Sequence, residues 1–355
     1  MSKPLPLRTK AKKPPAGGRT SALRVHFENL PTKPQVFHIT KERLAAARRR
    51  HADVVKRVKI THGEDVHLLA QNLPSIEVLV TSYDVLSHPA FPLRTLSDVA
   101  PRLRWILVTS AGIEKLLPLD WLPAKTSLIN ARGAHWKKAN EFAQMSLLML
   151  NAQVARMVTN QRNSRWESIF TPVISGKRLL VLGTGYLGRA FAKQGKRLGL
   201  EVTGISRSGG GAASFDEVRS LKSLRSMLTK ADFVVTALPL TKETAGLIGT
   251  MEFARMKRGA GFMNVGRGGV IDHAALRQAL QNGHLSSAIL DVYQAEPLPA
   301  ADALWDTPNL IMSPHVAMDD IDAFLPTCLD LAFDNIRRTL AAKPLKNVVN
   351  PALGY

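Results

Sequence analysis

The sequence predicts an α/β protein of two parallel-sheet domains, and three observations point there. Between residues 178 and 312, short apolar runs alternate with helical patterns, as in a doubly wound parallel sheet covered on both faces. A similar alternation runs from about Leu23 to Gly133. The chain's 355 residues also exceed the roughly 250–300 that one hydrophobic core usually holds.

In the first unit, strands are expected at Arg24–Phe27, Val58–Thr61, Ile76–Val80, Trp105–Val108 and Ser127–Asn130, with helices at Lys41–Arg50 and Val66–Asn72. From His135 to Met157 the pattern reads as one long helix, with Phe142, Met145, Leu148, Met149 and Val154 on its apolar stripe. A polar segment, Thr159 to Glu167, leads to the second unit. Its strands are expected at Arg178–Leu182, Glu201–Ile205, Asp232–Ala237, Gly261–Val265, Ser286–Val292 and Asn309–Met312. Leu187–Leu198, Ser220–Lys230, Met251–Arg258 and His273–Asn282 are the helices between them. A last helix, Ala323 to Leu340, is expected to pack back on the first unit. The division is therefore a basic arm over 1–22, a first domain of 23–134 plus 318–355, and a second of 135–317.

A hydrophobic fraction of 45% is ordinary for a globular protein, and no apolar run approaches the ~18 residues of a membrane helix. Cys328 is the sole cysteine, so no internal disulfide can form; a reducing compartment, hence the cytoplasm, is the expected location. The net charge of +20 raises the question of nucleic acid. Residues 1–60 hold 16 Lys and Arg against Glu28, Glu42 and Asp53, whereas the rest holds 32 against 25. The excess thus sits outside the candidate catalytic core. Met1 to Ala22 is basic, rich in proline and free of acids, which reads as a solvated disordered arm. It lacks the apolar stretch of a secretory signal, and Pro14 and Pro15 count against a helical transit peptide.

Gly183-Thr184-Gly185-Tyr186-Leu187-Gly188 directly follows the apolar run Leu179–Leu182 and opens a helix. In that setting Gly183 allows a tight turn, Gly185 admits a pyrophosphate to the backbone, and Gly188 permits close helix–strand packing. An NAD site usually carries an acid about 20 residues on, at the end of the next strand, for the ribose hydroxyls. Here that strand ends in Ser206-Arg207-Ser208. An arginine flanked by hydroxyls can hold a 2′-phosphate that a carboxylate would repel, so NADP(H) is expected over NAD(H).

Arg267, Glu296 and His315 each lie just beyond a strand of the second unit, where ligands collect in open α/β sheets. Reduction of a 2-keto acid needs a hydride beside the carbonyl carbon, a proton for its oxygen and a cation for the carboxylate. An imidazole such as His315 titrates near neutral pH and suits the proton. Glu296 would fix its tautomer and favour its charged form. Arg267, forked and permanently charged, suits the carboxylate. Singly, each residue has an ordinary reading as a loop or turn residue; their order and context give them weight.

With these pieces in place, the chain after the basic arm resembles the D-isomer-specific 2-hydroxyacid dehydrogenase family. The resemblance is carried by Gly183–Gly188, Leu238-Pro239-Leu240-Thr241, Asn264–Asp272, Leu290–Leu298, Leu304-Trp305, Pro308-Asn309 and Ser313–Ala317. It implies a Rossmann-like cofactor domain inserted in a flavodoxin-like substrate domain, and a homodimer formed largely by the cofactor domains. It also implies Arg267 and Glu296 as partners of His315 in acid/base catalysis, and Asp291, Leu238, Pro239 and Val265 along the cofactor. Ala111 and Gly112 would cradle the substrate carboxylate. The Ser206–Ser208 segment resembles the NADPH-using glyoxylate/hydroxypyruvate reductase branch. Met318-Asp319-Asp320 departs from the glycine and threonine common after His-Val-Ala in the family, and its acids are expected to reshape the pocket mouth or disfavour anionic substrates. With 40 residues after His315, no appended regulatory domain is expected. No metal is implied. A dinucleotide-binding regulator of corepressor type, associated with nucleic acid and lacking turnover, is the alternative, motivated by the charge; a formate or phosphite dehydrogenase is a lesser one.

Overall fold

The computed structural model describes residues 22–30, 34–210 and 213–351. The basic arm, save Ala22, therefore lies outside the described residues. Two parallel sheets organise the rest. The smaller contains β1 (Leu23–Glu28), β2 (Val58–Gly63), β3 (Val78–Thr81), β4 (Trp105–Val108) and β5 (Ser127–Asn130) in the order β2-β1-β3-β4-β5. That is the flavodoxin-like order. Trp105, Ile106, Leu107 and Val108 are all buried, as expected of a strand covered on both faces.

The larger sheet contains β6 (Arg178–Leu182), β7 (Glu201–Ser206), β8 (Glu217–Ser220), β9 (Phe233–Thr236), β10 (Ala260–Asn264), β11 (Leu285–Leu290) and β12 (Leu310–Met312). Its order is β12-β11-β10-β9-β6-β7-β8, with every pairing parallel. Strand order reverses between β6 and β9, the switch point where Rossmann-like sheets open a crevice beyond their carboxyl ends. The helix Phe324–Leu340 returns to the small sheet, burying Phe324, Leu329, Phe333 and Ile336 against Phe27 and Trp105. Trp105 Nε1 also donates to Thr339 Oγ1 at 2.9 Å. The chain thus has two Rossmann-like domains, with the segment bearing the larger sheet inserted in the smaller, flavodoxin-like one.

Four local expectations need correction. The long helix ends at Asn151, and a second helix, Val154–Arg162, starts after Gln153, whose φ of 53° lies in the left-handed region. Asn151 anchors the break: its side chain donates to Pro172 O at 3.1 Å and accepts from Lys177 Nζ at 2.6 Å. The presumed polar linker is accordingly helical as far as Arg162. The buried face of Trp136–Asn151 is Ala139, Phe142, Ala143, Leu147 and Leu150, so Met145 and Leu148 of the expected stripe face outward. Small alanines packed on the neighbouring Tyr186–Arg197 helix shift the stripe, a displacement that hydrophobicity alone does not register. Finally, Glu217–Ser220 is an edge strand, and Ser220–Lys230 reduces to a 3-10 turn, Leu221–Ser223, and a short helix, Leu224–Leu228.

Candidate active site

The glycine loop leaves β6 and enters the Tyr186–Arg197 helix, with Gly185 at the helix N-cap. Gly183 has a φ of 100°, and a Cβ on it would lie 2.8 Å from the Ala237 carbonyl oxygen. A Cβ on Gly188 would collide with the Gly183 carbonyl oxygen. At Gly185 the same atom would meet nothing within 4 Å, so the backbone is open to a ligand beside the positive end of the helix. These residues fit a dinucleotide pyrophosphate.

Around the loop, partly buried Leu187 packs against the core and Tyr186 stands half exposed, edge-on to Trp136 with ring centroids 5.5 Å apart. At the end of β7, Ser206 Oγ accepts from Gly209 N at 3.0 Å, while Arg207 and Ser208 are exposed. No acid occupies this strand end. Leu238 and Pro239 follow β9, half-buried, and Val265 is buried just beyond β10.

Arg267, Glu296 and His315 follow β10, β11 and β12, three adjacent strands, and so reach the same edge of the sheet. His315 Nδ1 lies 2.7 Å from Glu296 Oε2. The other carboxylate oxygen of Glu296 accepts from Tyr293 N at 2.9 Å, which fixes the carboxylate plane. His315 has a φ of 53°, a left-handed conformation that costs on the order of 1–3 kcal/mol for a residue bearing a side chain. Buried Asp291 holds that turn: its Oδ1 accepts from Ser313 Oγ at 2.7 Å and from Val316 N and Ala317 N at 3.1 Å each. Burial pushes the Asp291 carboxyl above the usual carboxylate range, against those donors and the nearby imidazole of His315.

From the small sheet, the loop after β4 brings Ala111 and Gly112 to the same cleft. Asn130 Nδ2 donates to Ala111 O at 2.9 Å, and Ser110 Oγ donates to Gly112 O at 2.8 Å. A Cβ on Gly112 would collide with Arg267 Nη2, so the guanidinium lies directly on this backbone. Arg267 is held there by Glu114, a residue that the sequence reading did not single out. Its Nε donates to Glu114 Oε1 at 2.8 Å and its Nη2 to Glu114 Oε2 at 3.3 Å.

The Met318-Asp319-Asp320 departure divides into three roles. Met318 is buried in the core, and Asp320 Oδ1 accepts from Asp322 N and Ala323 N at the entry to the last helix. Asp319 sets its carboxylate 3.4 Å from His135 Nδ1. Burial pushes Asp319 above the usual carboxylate range, with the His315 charge acting the other way. His135 stacks on Phe324, centroids 4.6 Å apart; burial pulls its pKa down, and the charges of His315 and Arg267 add to that. Glu114 and His135 escaped the sequence reading because each is defined by a partner on another segment, whereas Asp319 was flagged there within Met318-Asp319-Asp320. The family departure at Asp319 was the one available signal.

Trp136 packs on Tyr186, and Trp166 is almost wholly exposed. Trp305 is half exposed and donates to Pro299 O at 2.9 Å. Among the described residues no His, Cys, Asp and Glu cluster could hold a metal ion, and no helix is long and apolar enough to cross a membrane.

Residues 144–317 match the family described as D-isomer specific 2-hydroxyacid dehydrogenase, NAD binding domain. The chain is 30% identical to glyoxylate/hydroxypyruvate reductase B of Salmonella paratyphi A over 307 residues, 84% of this chain and 91% of that protein. It is 31% identical to glycerate dehydrogenase of Methylorubrum extorquens over 264 residues, 70% of this chain and 79% of that one. Its fold is similar, with a TM-score of 0.76 and 26% identity, to a D-isomer specific 2-hydroxyacid dehydrogenase from Xanthobacter autotrophicus solved with NADPH and MES. That likeness covers 94% of this chain and all of the other. A glycine loop at the switch point, a paired histidine and glutamate beyond neighbouring strands and these likenesses agree: the chain belongs to the D-isomer specific 2-hydroxyacid dehydrogenase family and is an NAD(P)-dependent oxidoreductase.

Proposed function

We propose that the protein reduces a small 2-keto acid of the glyoxylate or hydroxypyruvate kind to the D-2-hydroxy acid, using NADPH. The observation that carries this reading is the 2.7 Å contact between His315 Nδ1 and Glu296 Oε2, on the same sheet edge as Arg267. With Nδ1 engaged, Nε2 is the nitrogen left to protonate a substrate oxygen. Glu296 holds the ring and stabilises the imidazolium before the proton leaves. Arg267 takes the substrate carboxylate in a bidentate pair, beside the backbone of Ala111 and Gly112. The nicotinamide, when bound, supplies the hydride to the carbonyl carbon. Asp291 keeps the His315 turn in place near the nicotinamide end of the cofactor. In the reverse direction His315 accepts the hydroxyl proton. A turnover-free regulator would have no use for the His315–Glu296 pair, so the enzyme reading is preferred to one based on nucleic acid.

NADPH is preferred over NADH because Ser206-Arg207-Ser208 offers hydroxyls and a cation where an acid would exclude a 2′-phosphate. Gly183, Gly185, Tyr186, Leu187 and Gly188 carry the pyrophosphate end, with Leu238, Pro239 and Val265 along the cofactor. Residues 135–317 form the dinucleotide-binding domain, and 23–134 with 318–355 the substrate-binding domain. The protein acts as a homodimer in the cytoplasm. Met145, Leu148 and Met157 are exposed on the two successive helices, and Trp166, Phe170 and Val173 are 99%, 93% and 78% exposed on the segment that follows. Such a concentration of large apolar side chains suits burial by a second copy.

Absorbance of the reduced nicotinamide tests this directly, with NADPH or NADH and each of glyoxylate, hydroxypyruvate, pyruvate and phenylpyruvate. Oxidation of NADPH with the two small polar acids is expected to be fastest. Absence of oxidation with all four would refute the reading.

A further inference from the structure

Glu114 opens a 3-10 turn, Glu114–Leu116, beyond β4 in the small sheet, yet its carboxylate contacts a residue 153 positions away in the large one. A guanidinium has five N–H groups in a rigid plane. Glu114 takes one from Nε and one from Nη2 of Arg267, and the Gly266 carbonyl takes one from Nη1 at 2.7 Å. One N–H therefore remains on each terminal nitrogen, side by side, along the end edge of the plane. That edge is a second fork, complementary to a planar carboxylate. The side chains are 28% and 30% exposed, so solvent screens the pair less than it would on an open surface.

We propose that Glu114 is a positioning residue for Arg267, locking the guanidinium by its side edge so that its end edge meets the substrate carboxylate. Because Glu114 and Arg267 come from opposite walls of the cleft, the lock forms only when the two walls are together. It links the aim of the fork to domain closure. The lock also offsets the net charge of Arg267, so recognition relies on two directed N–H groups rather than on charge alone. Without Glu114 the long arginine chain regains its rotamers, and the fork meets the carboxylate in only some of them. This inference rests on the 2-keto acid reading and adds a residue to it.

Two measurements test it on the wild type, Glu114→Ala, Glu114→Gln and Arg267→Ala. One is calorimetric titration of oxalate, a planar mimic of a 2-keto acid, into NADP-loaded protein. The other is kcat and KM for glyoxylate with NADPH. Glu114→Ala should weaken oxalate about tenfold or more and raise the glyoxylate KM by a similar factor, with a smaller change in kcat. Glu114→Gln, whose amide oxygen still accepts one N–H, should recover part of both losses. NADPH affinity and Tm should stay level across the Glu114 variants. Equal or tighter oxalate binding by Glu114→Ala would mean that Glu114 competes for the fork, and would overturn the proposal. So would no oxalate binding by the wild type, no recovery in Glu114→Gln, or a parallel loss of NADPH affinity. Oxalate binding that depends on Glu114, with no 2-keto acid reduced, would instead sink the functional reading and leave this one standing.

Discussion

The two walls of the cleft are built differently. On the large sheet, Arg267, Glu296 and His315 each follow their own strand by a few residues, and local contacts aim two of them: Tyr293 N on Glu296, Asp291 on the His315 turn. On the small sheet, Ala111 and Gly112 present backbone and Glu114 reaches across to Arg267. On the proposed reading one wall carries the chemistry, and the supports of Glu296 and His315 lie close in sequence or on neighbouring strands. On the same reading the other carries recognition, through contacts that cross the cleft. Damage to the first wall should stop turnover, whereas damage to the second should mainly change which substrate is held and how well.

The largest expected effect is at the first wall. His315→Asn should cut kcat by about 10²–10⁴-fold while leaving NADPH binding intact, as rapid kinetics with a fluorescence titration would show. Unchanged turnover would erase the distinction between the walls. Next comes the cofactor crevice. Arg207→Ala should raise the KM for NADPH by about 10–100-fold and change that for NADH little, the scale of a lost hydrogen bond to a charged group. An equal loss for both cofactors would remove the case for a phosphate clamp. A third test uses the exposed apolar face, where Met145→Glu with Leu148→Glu should turn a dimer into a monomer by light scattering. A wild type that is already monomeric would contradict the homodimer.

The smallest expected effect sits at the seam between the walls. Burial raises the Asp319 carboxyl, so its ionised form is disfavoured in the folded state. That cost is absent below the ordinary carboxylate range near 3.8 and grows as pH rises through the raised value. Asp319→Asn should therefore raise Tm at neutral pH by about 2 °C, with the gain vanishing as pH falls toward that range. A gain that persists in acid would point to a cause other than the charge.

Most strands were legible because a parallel sheet buries both faces, and runs such as Trp105–Val108 and Arg178–Leu182 advertise that burial directly. The glycine loop was legible because its setting, strand then helix, restricts which residues can turn there. The break at Gln153 was not, since Asn151 makes it through Pro172 and Lys177, neither of which is adjacent in sequence. Edge strand β8 is short and mostly polar, with no alternation strong enough to separate it from the helix after it. Within the site, sequence pointed to residues at strand ends. It was silent on Glu114 and His135, because a cross-cleft ion pair leaves no periodic trace.

The most direct test of the central claim is the product itself. Hydroxypyruvate given to the wild type with NADPH deuterated on the transferring face of the nicotinamide should yield the D-2-hydroxy acid, with deuterium on C2. Chiral chromatography coupled to mass spectrometry reads both features at once. Formation of the L acid, or of a product without deuterium, would contradict the account.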